Sequence, residues 1–140
     1  MIYAAEILGQ KFIKIGSADR DVSLRIAELQ IGNPFKIGLV MCVEGTLRQE
    51  LSIHAALTTC FGRIRIPCPP NEWYPGRHPL MQHFLADLRI SVSGALGYLS
   101  SYDPNVKQPG QKAGGHYEPV VRWPVPAKLG MVLWHSQTTC

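Results

Sequence analysis

The chain has 140 residues, enough for one domain, or a domain and a tail, with a core that needs no staples. Fourteen Lys and Arg against ten Asp and Glu give a formal net charge of +4, a mild bias toward a polyanionic partner. The longest apolar stretch, Ile37 to Val43, falls far short of the roughly 20 residues of a membrane span; four cysteines at irregular spacing, with no hydrophobic leader, argue against a disulfide framework and predict free thiols in a soluble, cytoplasmic protein.

Met1 to Ile7 is a β-prone run, Gly9-Gln10 can turn the chain, and Phe12 to Ile15 suit a second strand, so the chain opens on a hairpin. Ser17 to Asp21 provides cap chemistry. Val22, Ile26 and Leu29 then recur at i, i+4 and i+7, which predicts an amphipathic helix over 20–30 that ends at Gly32-Asn33-Pro34. On its wheel Arg25 lies beside the apolar stripe, so its guanidinium can reach along the packed face toward the hairpin. The continuous apolar run after Phe35 predicts a strand over 36–44, covered on both faces in the middle of the sheet.

Thr46 to Gln49 matches a capping box that opens a helix over 46–60, with Leu47, Leu51, Ala55 and Leu57 expected inside and Cys42 before it a buried thiol. Glu50 and His54 stand one turn apart on that helix, so both side chains share a face, an arrangement that can hold a metal beside a proton-transfer group. Ile64 to Ile66 reads as a short edge strand halted by Pro67, and a loop follows, with Trp73 a packing anchor under the helix of Glu50. Pro79 opens a closing helix over 79–92 with apolar positions 81, 84, 85 and 88.

From about Ser100 the chain turns rich in Pro, Gly, Gln and Lys and reads as linker, followed by two β-like runs that carry Trp123 and Trp134. The domain organisation expected is therefore 1–95 as the working domain and 96–140 as linker and tail, the tail being a candidate site for a protein partner. Cys60, Cys68, His78 and His83 match no compact zinc-ligand spacing.

In order, Met1-Ile2-Tyr3, Lys14-Ile15-Gly16, Arg25, Leu29 to Pro34, Glu50, His54 and Asn71-Glu72-Trp73-Tyr74 resemble the GIY-YIG endonuclease superfamily, in the phage- and plasmid-type branch with KIG in place of YIG. The resemblance spans roughly residues 1 to 90, and its specificity lies in the ordered spacing. It implies an α+β sandwich with a central three-stranded antiparallel sheet flanked by helices, plus a C-terminal extension. It also implies a metal-dependent endonuclease acting on DNA. Met1 stands where the first signature has Gly, and Lys14 where the second has Tyr.

Phosphodiester hydrolysis needs a positioned water, removal of its proton, neutralisation of phosphate charge and help for the leaving oxygen. By resemblance Glu50 holds one Mg²⁺, for which Mn²⁺ may substitute, and Arg25 grips the same phosphate through a two-pronged contact that Lys cannot reproduce. Tyr3 is the candidate to orient or deprotonate water, with Lys14 either lowering its pKa or binding phosphate, and His54 an alternative base. Their shared phosphate requires Tyr3, Arg25 and Glu50 to meet on one concave surface. Arg63, Arg65 and Arg77, grouped around Glu72, complete the nucleic-acid contacts. The rival reading, supported by Met1 and Lys14 in the signature positions, is a degenerate scaffold that binds nucleic acid or inhibits a host defence protein.

Overall fold

The hairpin forms as its sequence requires: β1 (Ile2–Ile7) and β2 (Phe12–Ser17) pair antiparallel, with Tyr3 opposite Gly16 and Ala5 opposite Lys14. Gly9 sits at φ +80°, a left-handed conformation that glycine adopts without strain, and this closes the connection. The computed structural model describes residues 1–64 and 72–106.

Two further strands extend the pair. β3 (Ile37–Val43) joins the free edge of β1, with a register shift between Ala4 and Ala5, and β4 (Trp73–Pro75) joins that of β2. The result is a four-stranded, wholly antiparallel sheet in the order β3-β1-β2-β4, so the fold is α+β. Two expectations change. The sheet gains a fourth strand where a loop was read, and β3, expected in the middle, is an edge strand, because β1 and β2 occupy the centre. The edge strand expected at Ile64–Ile66 does not begin there either: α2 runs on to Arg63 and Ile64 is its C-cap, while Arg65 and Ile66 lie outside the described residues.

Alternation along the strands divides the core between two faces of the sheet. Ile2, Ala4, Ile13 and Ile15 point to one side, where they pack under α2 (Leu47–Arg63), α3 (Pro79–Ile90) and α4 (Val92–Ser101). Tyr3 and Ala5 point to the other and meet Val22 and Ile26 of α1 (Val22–Gln30). Asp21 caps α1 by accepting from the Ser23 amide, and the Thr46–Gln49 capping box of α2 forms with both reciprocal bonds.

α2 faces inward differently from its expected stripe. Leu47 and Leu51 are 60% and 59% exposed and Ala55 is exposed, whereas Glu50, Ile53, Leu57, Cys60 and Phe61 are buried. The row 53, 57, 60, 61 offers more apolar volume to the sheet than the row through 47, 51 and 55, and rotating the helix to use it turns Glu50 inward. Trp73 belongs to the face of α1, and Tyr74 lies beneath α2 instead.

The closing helix is two helices. Ser91 ends α3 in extended conformation and caps α4 by accepting from the Gly94 amide at 2.9 Å. Val92, Ala95, Leu99 and Tyr102 are buried in the larger core cluster, so the packed unit reaches Tyr102, past the boundary expected at 95. The 107–140 part of the expected tail lies outside the described residues. Cys60 is a free, buried thiol that donates to the Leu99 carbonyl. Cys42, expected as a buried free thiol, is half-buried on edge strand β3 and disulfide-bonded. Among the described residues no helix is long and apolar enough to cross a membrane.

Candidate active site

Tyr3 is 1% exposed, with its ring laid directly over Gly16 on the neighbouring strand. Arg25, one turn into α1, lies near enough to the phenol to act on it electrostatically, while its hydrogen bond goes to Glu28. Burial is the main force on this hydroxyl and raises its pKa; the nearby Arg25 opposes it, and the negative charges of Glu50 and Glu72 add to it. The phenol is therefore neutral at pH 7. The net shift is upward, where a lowering was expected, and the Lys14 ammonium bonds Glu72.

That pair spans the β2–β4 edge: Lys14 Nζ stands 2.9 Å from Glu72 Oε2 and 6.0 Å from the Trp73 ring centroid, in register with Trp73 as its strand partner. Glu72 is about half exposed, and the Lys14 hydrogen bond, aided by the charges of Lys14, His54 and Arg25, holds its carboxyl below the ordinary range. Arg25 also pairs with Glu28 at 2.7 Å, an i, i+3 contact in solvent that an incoming anion can displace at little cost.

On α2, Glu50 is 8% exposed, and the Ser17 hydroxyl at the end of β2 donates to its Oε2 at 2.5 Å. His54, the next residue on that face, places Nδ1 2.7 Å from the Tyr74 hydroxyl and stacks on the Tyr74 ring. Its Nε2 lies 3.5 Å from Glu50 Oε1 and 3.8 Å from Glu72 Oε1, too long for hydrogen bonds, and among the described residues this buried nitrogen has no hydrogen-bond partner. One donor atom each from Glu50, His54 and Glu72 falls within 4.8 Å of the others.

The fold thus draws Tyr3, Lys14, Arg25, Glu50 and His54 into one electrostatic neighbourhood. Arg63 and Arg77 are elsewhere. Arg63 is at the opposite end of α2 from Glu50, about 20 Å along the helix axis, and donates to the Tyr102 carbonyl. Arg77 faces Glu6, whose carboxyl it helps to keep charged against the upward pull of burial, at the turn end of the hairpin. Arg65 lies outside the described residues. Three members of the site were missed as such: Ser17, taken for cap chemistry, and Glu72 and Tyr74, whose signal was the Asn71 to Tyr74 block. Alternation in a short strand would have sent Tyr74 to the side of α2 and Trp73 to the other.

Chemically this neighbourhood offers the Arg25 guanidinium for a phosphate, the Lys14 charge behind it, a neutral phenol, and a carboxylate-imidazole-carboxylate donor set suited to a divalent ion. Compared with known proteins, the chain matches no family model, no curated protein and no solved structure.

Proposed function

We propose that the chain is a metal-dependent phosphodiesterase of GIY-YIG type, a DNA endonuclease using Mg²⁺ or Mn²⁺. One observation carries the reading. The buried Tyr3 hydroxyl feels the charge of Arg25 from one element and those of Glu50 and Glu72 from two others, which supports a shared site for the groups phosphodiester hydrolysis needs.

Arg25 supplies the phosphate grip by exchanging Glu28 for a phosphate oxygen while keeping its contact to Tyr3. Lys14 adds a second positive charge. Tyr3, held neutral by burial, orients rather than deprotonates: its O–H donates to the phosphate or to the attacking water. Glu50, fixed by Ser17, is the residue to hold the metal, and the orphaned His54 Nε2 beside it supports a donor set suited to such an ion. When bound, the metal supplies Lewis-acid polarisation of phosphate and a more acidic water.

The test is incubation of the purified protein with supercoiled plasmid and Mg²⁺ or Mn²⁺, beside Glu50→Gln and Glu50→Ala variants checked for native circular dichroism. Nicking by the wild type that both folded variants lack supports the enzyme. Gel retardation without cleavage by any of the three selects the nucleic-acid-binding scaffold instead. Tyr3 favours keeping that second reading in the test, since a phenol 1% exposed must be uncovered or reached through Arg25.

A further inference from the structure

We infer that Glu50, His54 and Glu72 together form a three-ligand site for a first-row transition ion of the Mn²⁺ class, with His54 Nε2 bound directly to the ion, rather than a one-carboxylate Mg²⁺ site. The inference deepens the reading of this pocket as the reaction centre and names the ion it takes.

Each of the three side chains has two heteroatoms, and in each one is anchored away from the cluster. Ser17 holds Glu50 Oε2, Lys14 holds Glu72 Oε2 at 2.9 Å, and the Tyr74 hydroxyl holds His54 Nδ1 at 2.7 Å. The three remaining atoms, Glu50 Oε1, His54 Nε2 and Glu72 Oε1, face one another. This is how protein metal ligands are oriented, by partners on the atom that does not bind.

Spacing agrees with it. Donors sharing one ion at about 2.1 Å stand about 3 Å apart when adjacent. Nε2 lies 3.5 Å and 3.8 Å from the two oxygens, and one donor atom from each of the three residues lies within 4.8 Å of the others, spacings that a bound ion needs to shorten only modestly. A hydrogen-bonded triad would account for the cluster equally well if Nε2 were bonded to either carboxylate. It is bonded to neither, and it is buried.

The donor types decide the ion. Mg²⁺ takes oxygen and keeps most of its water, whereas an imidazole nitrogen favours first-row transition ions and two carboxylates suit Mn²⁺ among them. Three protein donors leave open positions for water and a phosphate oxygen.

The test titrates Mn²⁺ into full-length protein freed of metal by chelator, without nucleic acid, following the free-ion electron paramagnetic resonance signal. The expected result is one Mn²⁺ per chain, nitrogen modulation in the pulsed spectrum that His54→Ala abolishes, and affinity losses of about tenfold or more in His54→Ala and Glu72→Gln. Equimolar Mg²⁺ should not displace the ion. Glu72 is half exposed, so Glu72→Gln keeps the fold and decides the matter even if His54→Ala does not. Absence of Mn²⁺ binding, a spectrum without nitrogen modulation, unchanged affinity in Glu72→Gln, or displacement by equimolar Mg²⁺ would each overturn the site. Plasmid nicking is scored separately. Mn²⁺ bound as described without nicking leaves this site standing and removes the nuclease reading, while nicking by a Glu72→Gln protein of unchanged affinity does the reverse.

Discussion

A side chain on Gly16 would put its Cβ within 2.5 Å of the Tyr3 ring carbon Cζ, so the glycine of the Lys14-Ile15-Gly16 signature is required by the tyrosine of the first. Gly16→Ala should push the ring off its seat, costing about 1–3 kcal/mol in urea melts and breaking the Arg25 contact, whereas Tyr3→Phe keeps the packing and loses about 1 kcal/mol or less. If Gly16→Ala melted like the wild type, the close approach of ring and strand would be wrong. Glu72 gives a pH prediction. Its folded pKa is depressed, so it contributes stability that is present above the ordinary glutamate value and lost as the pH falls through the lower folded one. Glu72→Gln should therefore lose stability at neutral pH and converge with the wild type on acidification. Parallel stability profiles across pH 3–7 would show that the Lys14 pair holds nothing. Tyr3 acts at the other end: its folded pKa is raised, so its contribution is intact below pH 10 and declines above it.

Among the elements, α2 carries the most consequence, because one helix presents both Glu50 and His54 and is fixed at its N-terminus by the Thr46–Gln49 box. Thr46→Ala should cost about 1 kcal/mol and fray the turn that contains Glu50, so activity and metal affinity should fall further than stability alone explains. Equal loss in all three would place the cap outside the site's function. The α3–α4 break teaches how such elements are read. Val92 to Ser101, with two glycines and three serines, has little intrinsic helix preference, and the chain around 95–100 therefore passed for the start of a linker. Tertiary packing of Val92, Ala95 and Leu99 supplies what propensity lacks.

For the whole molecule, that packing sets where the domain can be cut. Ending the chain after 95 removes Leu99 and Tyr102 from the larger core cluster and should unfold it or lower its urea midpoint sharply, while ending it after 106 retains the described residues of both clusters. Equal midpoints would mean that α4 is dispensable. On nucleic acid, loss of Arg25 and loss of Glu50 should differ. Arg25→Ala should weaken binding by about one phosphate's worth of salt dependence and slow cleavage by orders of magnitude, and Glu50→Gln should abolish cleavage with binding unchanged or slightly tighter. Salt titration that assigned the lost phosphate contact to Glu50 would reverse these roles.

Local signals carried much of the structure. The β-prone run ending at Ile7, the turn at Gly9, the 22-26-29 stripe and the Thr46–Gln49 box are each written within a few residues, and each produced the expected element because short-range hydrogen bonds and local burial suffice to specify it. The candidates Tyr3, Lys14, Arg25, Glu50 and His54 were legible from their ordered spacing. What the sequence alone did not reach were relations between distant segments: which strand lies at the sheet edge, which face of α2 turns inward, that Glu72 claims Lys14, that Ser17 claims Glu50, and that Arg63 and Arg77 go elsewhere. Those are settled by competition for one core and one set of partners, where Ile53, Leu57 and Phe61 outbid Leu47 and Leu51 for the sheet, and that competition exists only once the chain is folded.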